Sequence, residues 1–176
     1  MTQPTLLLGP GASGGIERLK PHLAGLRKRG VSASSVPLPK GTAERALPVY
    51  REALETADPE GGGTMVIGGH SFGGRMASLL AAERPVRGVV LLSYPLHAPG
   101  RPDAWDDRTA HWPRIACPVL LLSGESDPFT RIELLRGALP RLQQVEVHTY
   151  PGVGHGLEPV LDDALDRIAA FVKRLG

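Results

Sequence analysis

The sequence predicts an open parallel α/β sheet with helices on both faces, a three-layer α/β/α sandwich of about six strands. Three observations carry that prediction. Four short apolar runs, "TLLL" (5–8), "MVIG" (65–68), "GVVLLS" (88–93) and "PVLLLSG" (118–124), lack the alternation of a half-solvated strand, as parallel strands covered on both faces do. Longer stretches between them repeat apolar residues at helical spacing. The 22 glycines and 17 prolines fall at the joints between these segments, where they act as turn residues.

Taken in chain order, "TLLL" is the first strand, and Ile16, Leu19, Leu23 and Leu26 then share one face of a helix. "VSASSVPL" (31–38) is weaker and alternates, which places it at a sheet edge. Tyr50, Leu54 and Ala57 mark a second helix, expected to begin at Pro48, where a missing N–H does no harm. "MVIG" runs into the glycine knot "GGHSFGG" (68–74), after which Met76, Leu79 and Leu80 form a helix. "GVVLLS" is the fourth strand. The longest irregular stretch, 94–117, follows it as a surface flap or short helix, too short for a lid domain. "PVLLLSG" is the fifth strand, "VEVHTY" (145–150) a second edge strand, and Leu161, Leu165, Ile168 and Val172 the last helical stripe. Right-handed crossovers decide which face each helix covers. No repeat or linker divides the chain, so residues 1–176 are expected to form one domain.

Composition narrows the function. A net charge of +2, with basic residues scattered along the chain, provides no clustered stripe for nucleic acid. A single cysteine, Cys117, allows no internal disulfide and points to a cytoplasmic location; its place before a strand marks a buried, inert thiol. No apolar run approaches the roughly 18 residues of a membrane helix. The opening "MTQPTLLLGPG" lacks the basic region of a signal peptide. The six histidines have neither HExxH nor paired-cysteine spacing, so no metal or other cofactor is expected. A monomer or homodimer acting on a small molecule fits these totals.

Chemistry gathers at the knot. Gly69-His70-Ser71-Phe72-Gly73 fits G-x-S-x-G, and it sits between a strand and a helix, the setting of a nucleophile elbow. The positions two before and two after the serine must be small there, and Gly69 and Gly73 are. A serine hydroxyl needs a base, and the base needs an acid to hold its tautomer. Both are expected at the carboxyl ends of later strands, in the order Ser, acid, His. Asp127 follows the fifth strand in "GESDPF", and His155 lies after the sixth in "GVGHGL", where Gly154 and Gly156 give the ring room to turn. Glu125, Asp103, Asp106 and Asp107 are rival acids. Acyl transfer also needs donors for an oxyanion, each worth roughly 3–4 kcal/mol. The Phe72 amide is one. The loop "GPGASGG" (9–15) supplies the other, and because Pro10 has no N–H, Gly11 or Ala12 must donate. This loop lacks the Lys-Ser/Thr of a phosphate-cradling turn. His70 adjoins the serine and is placed with the substrate-contacting residues.

With "GPGA", "GHSFGGRMAS", "SYPLHAPGRP", "GESDPF" and "GHGL" spread over nearly its whole length, the chain resembles the α/β-hydrolase superfamily. It is most similar to the small, lidless, dienelactone-hydrolase-like branch known mainly as predicted hydrolases, which includes a testis-expressed protein and a subunit of a chromatin-modifying complex. The resemblance implies a minimal α/β-hydrolase fold whose first strand corresponds to the usual third. It implies Ser71 as nucleophile, Asp127 as acid and His155 as base. Arg75 and His97 match the branch pattern, Arg75 facing a substrate carboxylate or a neighbouring acid, and His97 the pocket mouth or a flap contact. Relatives commonly carry His-Gly before the oxyanion loop, whereas this chain has Leu8-Gly9. Trp105 and Trp112 are expected to pack the flap onto the sheet. The activity implied is hydrolysis of small carboxylic esters or thioesters by an acyl-enzyme. The alternative is a binding or scaffold protein that keeps the fold without turnover.

Overall fold

A computed structural model describes residues 5–176. The reading of the opening segment as lacking a basic leader lies, for residues 1–4, outside the described residues. Six parallel strands form one sheet in the order β2-β1-β3-β4-β5-β6: β1 (Leu6–Gly9), β2 (Ala33–Ser35), β3 (Val66–His70), β4 (Gly88–Leu92), β5 (Val119–Gly124) and β6 (Val145–Tyr150). The two weaker, alternating runs are the edges. Apolar residues fill both faces of the inner strands, so successive side chains supply two separate cores. Leu7, Ile67, Val89, Leu91, Val119 and Leu121 meet α2 (Ala43–Ala57), α3 (Phe72–Ala81) and α5 (Ile132–Ala138). Leu6, Leu8, Val66, Val90, Leu92, Leu120 and Leu122 meet α1 (Lys20–Lys28) and α6 (Leu161–Arg174). This is the expected three-layer sandwich, and the described residues form no lid domain above it. No helix among the described residues is long and apolar enough to cross a membrane.

Local departures from the sequence reading have clear causes. Residues Ile16–Leu19 form a 3-10 turn before α1, so Leu19 is buried while Ile16 stays 37% exposed. Helix α2 starts at Ala43, not Pro48, and carries the proline inside it. An interior proline costs about 3 kcal/mol. Burial of Ala46, Tyr50 and Leu54 along the same stripe offsets it. Tyr50 also ties this helix to the sheet: its hydroxyl lies 2.9 Å from the Leu7 carbonyl and 2.6 Å from the Gly68 carbonyl, and accepts the Gly68 N–H at 3.0 Å. The flap contains one short α-helix, α4 (Trp105–Thr109), between the 3-10 turns Pro102–Ala104 and Trp112–Arg114. Trp112 is fully buried against Tyr94, at 5.1 Å between ring centroids, and Arg141 lies over Trp105. Cys117 is half-buried, and burial pushes its thiol up to about 11.

Candidate active site

The strand order reverses between β1 and β3, where an open parallel sheet leaves a crevice at the carboxyl ends of its strands. A cleft of about 500 Å³ occupies that place, lined by loops that follow β1, β3, β5 and β6. Its volume lies within the range of small-molecule sites.

Strand β3 ends at His70 and α3 begins at Phe72, so Ser71 makes the whole turn. It does so at φ 50° and ψ −114°. A residue with a side chain pays about 1–3 kcal/mol for such a conformation. The turn is held by backbone packed on backbone. A Cβ on Gly69 would lie 2.4 Å from the Gly9 carbonyl oxygen, and one on Gly73 would lie 2.1 Å from the same atom. Only glycine fits at either position.

Ser71 Oγ stands 2.9 Å from His155 Nε2, and His155 Nδ1 stands 2.8 Å from Asp127 Oδ2. A carboxylate only accepts, so the partners assign the hydrogen to Nδ1 and leave Nε2 to accept from the serine hydroxyl. The Asp127 side chain is fully buried, while His155 keeps 24% exposure. Asp127 Oδ1 accepts the Phe129 N–H at 2.8 Å, closing an Asx turn that fixes the carboxylate plane. The rival acids are engaged elsewhere or lie in the flap. Glu125 accepts from the Thr149 hydroxyl at 2.7 Å, and Asp106 pairs with Arg141. Asp103 and Asp107 belong to the flap's short helices.

A Cβ on Gly154 would meet open space, whereas one on Gly156 would strike the Glu158 carboxylate. The glycine the base loop demands is Gly124, where a Cβ would sit 2.2 Å from the Val153 carbonyl oxygen.

Pro10, Gly11 and Ala12 line the cleft beside Ser71. Among the described residues, neither the Gly11 nor the Ala12 amide is bonded to a backbone carbonyl. Phe72 is the first residue of α3, so its N–H has no helical carbonyl to bond. The three expected oxyanion donors are therefore unspent.

Of the residues placed with the substrate, only His70 lines the cleft, and its Nε2 lies 3.0 Å from the His155 carbonyl oxygen. Burial lowers the His70 pKa. His97 does not reach the pocket mouth. It is 1% exposed, donates from Nδ1 to the Ala98 carbonyl at 2.9 Å and accepts the Arg131 N–H on Nε2 at 3.1 Å. Its own N–H donates to the Phe129 carbonyl, so it ties the flap to the Asp127 loop. Arg75 also lies away from the cleft, near Glu44, Tyr94, Arg108 and His111, with Nε buried and unpartnered.

Sequence reasoning missed Phe129, Arg18, His22 and Glu158, which line the cleft. The Phe129 ring covers the His155 ring at 4.4 Å between centroids. Its signal was readable, since an aspartate commonly bonds the amide two residues on. His22 sits beside Leu19 and Leu26 on the buried stripe of its helix, and burial lowers its pKa.

A family model described as an alpha/beta hydrolase domain matches residues 38–171. No protein with a curated description matches the chain. Among solved structures, a monoacylglycerol lipase from Paleococcus ferrophilus superposes with a TM-score of 0.83 at 18% identity, over 100% of this chain and 97% of that one. TT1662 from Thermus thermophilus gives 0.77 at 21% identity, over 99% and 90%. Est1E from Butyrivibrio proteoclasticus gives 0.78 at 16%, over 98% and 88%. At these identities the likeness is one of fold.

Proposed function

The chain belongs to the alpha/beta hydrolase domain family, and from that premise we propose that it is a serine hydrolase of small carboxylic esters or thioesters. The observation that carries the proposal is the unbroken row from Asp127 through His155 to Ser71, with contacts of 2.8 and 2.9 Å, ending on a serine in a strained turn. The lipase among its structural neighbours, and the Est1E structure with ferulic acid bound, point to the same class of substrate.

In this reading His155 Nε2 takes the Ser71 proton as Oγ attacks the acyl carbon. The Phe72 amide and that of Gly11 or Ala12 receive the oxyanion. Collapse expels the alcohol or thiol, which leaves with the proton from Nε2. Water then gives a proton to the same nitrogen, attacks the acyl-serine and releases the acid, returning Ser71 its hydrogen. Asp127 holds Nδ1–H throughout and steadies the imidazolium. The cleft's size and lack of a lid favour short acyl groups.

Turnover of p-nitrophenyl acetate and butyrate by wild type and Ser71→Ala tests the proposal, together with labelling by a fluorophosphonate probe. Wild type should turn over and be labelled, and the alanine variant should do neither. A wild-type Ser71 that resists the probe would favour a binding protein instead, and Pro10, which removes one amide from the oxyanion loop, is the feature that would then explain it.

A further inference from the structure

We propose that His70 is a positioning residue: its imidazole holds the backbone of the His155 loop and thereby aims the base at Ser71. The inference rests on the hydrolase reading above but concerns a residue that the row of three contacts does not include.

The His155 loop is poorly held by its own backbone. Ser126 N–H bonds the Val153 carbonyl on one side, and Val160 N–H bonds the Leu157 carbonyl on the other. Between these anchors, no amide or carbonyl of residues 154–156 has a backbone partner among the described residues. Among the described residues, the single hydrogen bond to this stretch of backbone comes from His70 Nε2, 3.0 Å from the carbonyl oxygen of His155 itself. Glycines on both sides of His155 leave the segment free to wander without it. Misplacement of a reacting group by about 1 Å costs on the order of 100-fold in rate.

The chemistry of the contact is unambiguous. A carbonyl oxygen only accepts, so Nε2 bears the hydrogen and Nδ1 is bare. The bare Nδ1 faces Gly11, where a Cβ would come within 3.1 Å of it. The ring thus sits between the base loop and the oxyanion loop, and it leads directly into the serine turn. It meets the His155 ring edge-on at 5.1 Å between centroids. Burial favours the neutral form of His70, which keeps a second cation away from the imidazolium that His155 must become.

The test compares wild type with His70→Phe and His70→Leu, which fill the space without a donor, and with His70→Gln, whose amide nitrogen reaches the same place. Two readouts apply: steady-state kinetics on p-nitrophenyl butyrate, and the proton NMR resonance of the His155 Nδ1–H bonded to Asp127. The Phe and Leu variants should lose about 10- to 100-fold in kcat with KM within about threefold. His70→Gln should recover to within about threefold of wild type. The Nδ1–H should exchange with water at least about tenfold faster in the Phe and Leu variants than in wild type or His70→Gln. Unchanged kcat and exchange in Phe and Leu, or a Gln variant as impaired as they are, would overturn the proposal. A wild type inert toward every ester counts against the hydrolase reading alone, because the exchange comparison still decides what His70 does.

Discussion

Ser71 carries two demands in one residue: a hydroxyl for chemistry and a backbone conformation suited to glycine. The two separate by substitution. Ser71→Ala keeps the strain and loses the hydroxyl, whereas Ser71→Gly loses both. Neither should turn over ester, but the glycine variant should unfold at a higher temperature than the alanine one, by the equivalent of about 1 kcal/mol once its greater unfolded-state freedom is set against the relieved strain. A glycine midpoint at or below the alanine one in differential scanning calorimetry would mean that the strain in the turn does not exceed the freedom glycine adds to the unfolded chain. Asp127 invites a similar comparison. Asp127→Asn preserves the shape and the Phe129 contact but disfavours the Nδ1–H tautomer of His155, so kcat on p-nitrophenyl butyrate should fall by about 10³–10⁴. At Tyr50, replacement by Phe removes a buried hydroxyl that meets the Leu7 and Gly68 carbonyls and the Gly68 N–H, just two residues before His70, and urea unfolding should show a loss of about 1 kcal/mol.

At the scale of elements, tight joints place the side chains. Gly73 touches no substrate, yet Gly73→Ala drives a methyl into the Gly9 carbonyl and should cost about 1–3 kcal/mol or more, with a fall in kcat because α3 must retreat and take Ser71 with it. Loss of stability without loss of kcat would show that the turn does not aim the serine. The sheet was largely legible because inner strands read as unbroken apolar runs and edge strands alternate. Helix starts were not. Pro48 suggested a first turn, but a stripe of buried residues reaching back to Ala46 extends α2 beyond it. Helix α5 has only seven residues, too few for a period to stand out. Ser71, Asp127 and His155 could be named because each follows a strand and strand ends share one rim. Arg18, His22 and Glu158 enter the cleft only through the way the 11–14 turn, α1 and the segment after His155 come together, which no local spacing records. The family pattern left His97 between the pocket mouth and a flap contact, and Arg75 between a substrate carboxylate and a neighbouring acid; tertiary packing commits His97 to the flap and keeps Arg75 out of the cleft.

For the molecule as a whole, the polar groups under the flap govern how it tolerates acid. Ser78 Oγ donates to the Arg75 carbonyl at 2.8 Å and accepts from His111 Nε2 at 2.7 Å, while the Tyr94 hydroxyl donates to the Arg108 carbonyl at 2.6 Å. Burial pushes His111 down to about 4 and lowers His22 and His70 as well. In the unfolded chain these rings take up protons near pH 6.5. Between that pH and the folded value the unfolded state holds more protons, so stability is full above pH 6.5 and drains away as pH falls toward 4. His111 alone should account for about 3 kcal/mol across that window. Urea midpoints at pH 7.5 and 4.5 should show the drop, and His111→Gln should show a smaller one; equal drops would remove His111 from the account. Rigidity elsewhere has a different consequence. With main chain pressed on main chain at Gly9, Gly69 and Gly73, the ground beneath Ser71 offers no side chain to exchange. Any retuning of what this protein accepts, by selection or by engineering, must therefore come from the walls and rim, at residues 10–14, Arg18, Leu19, His22, Phe129 and 156–158.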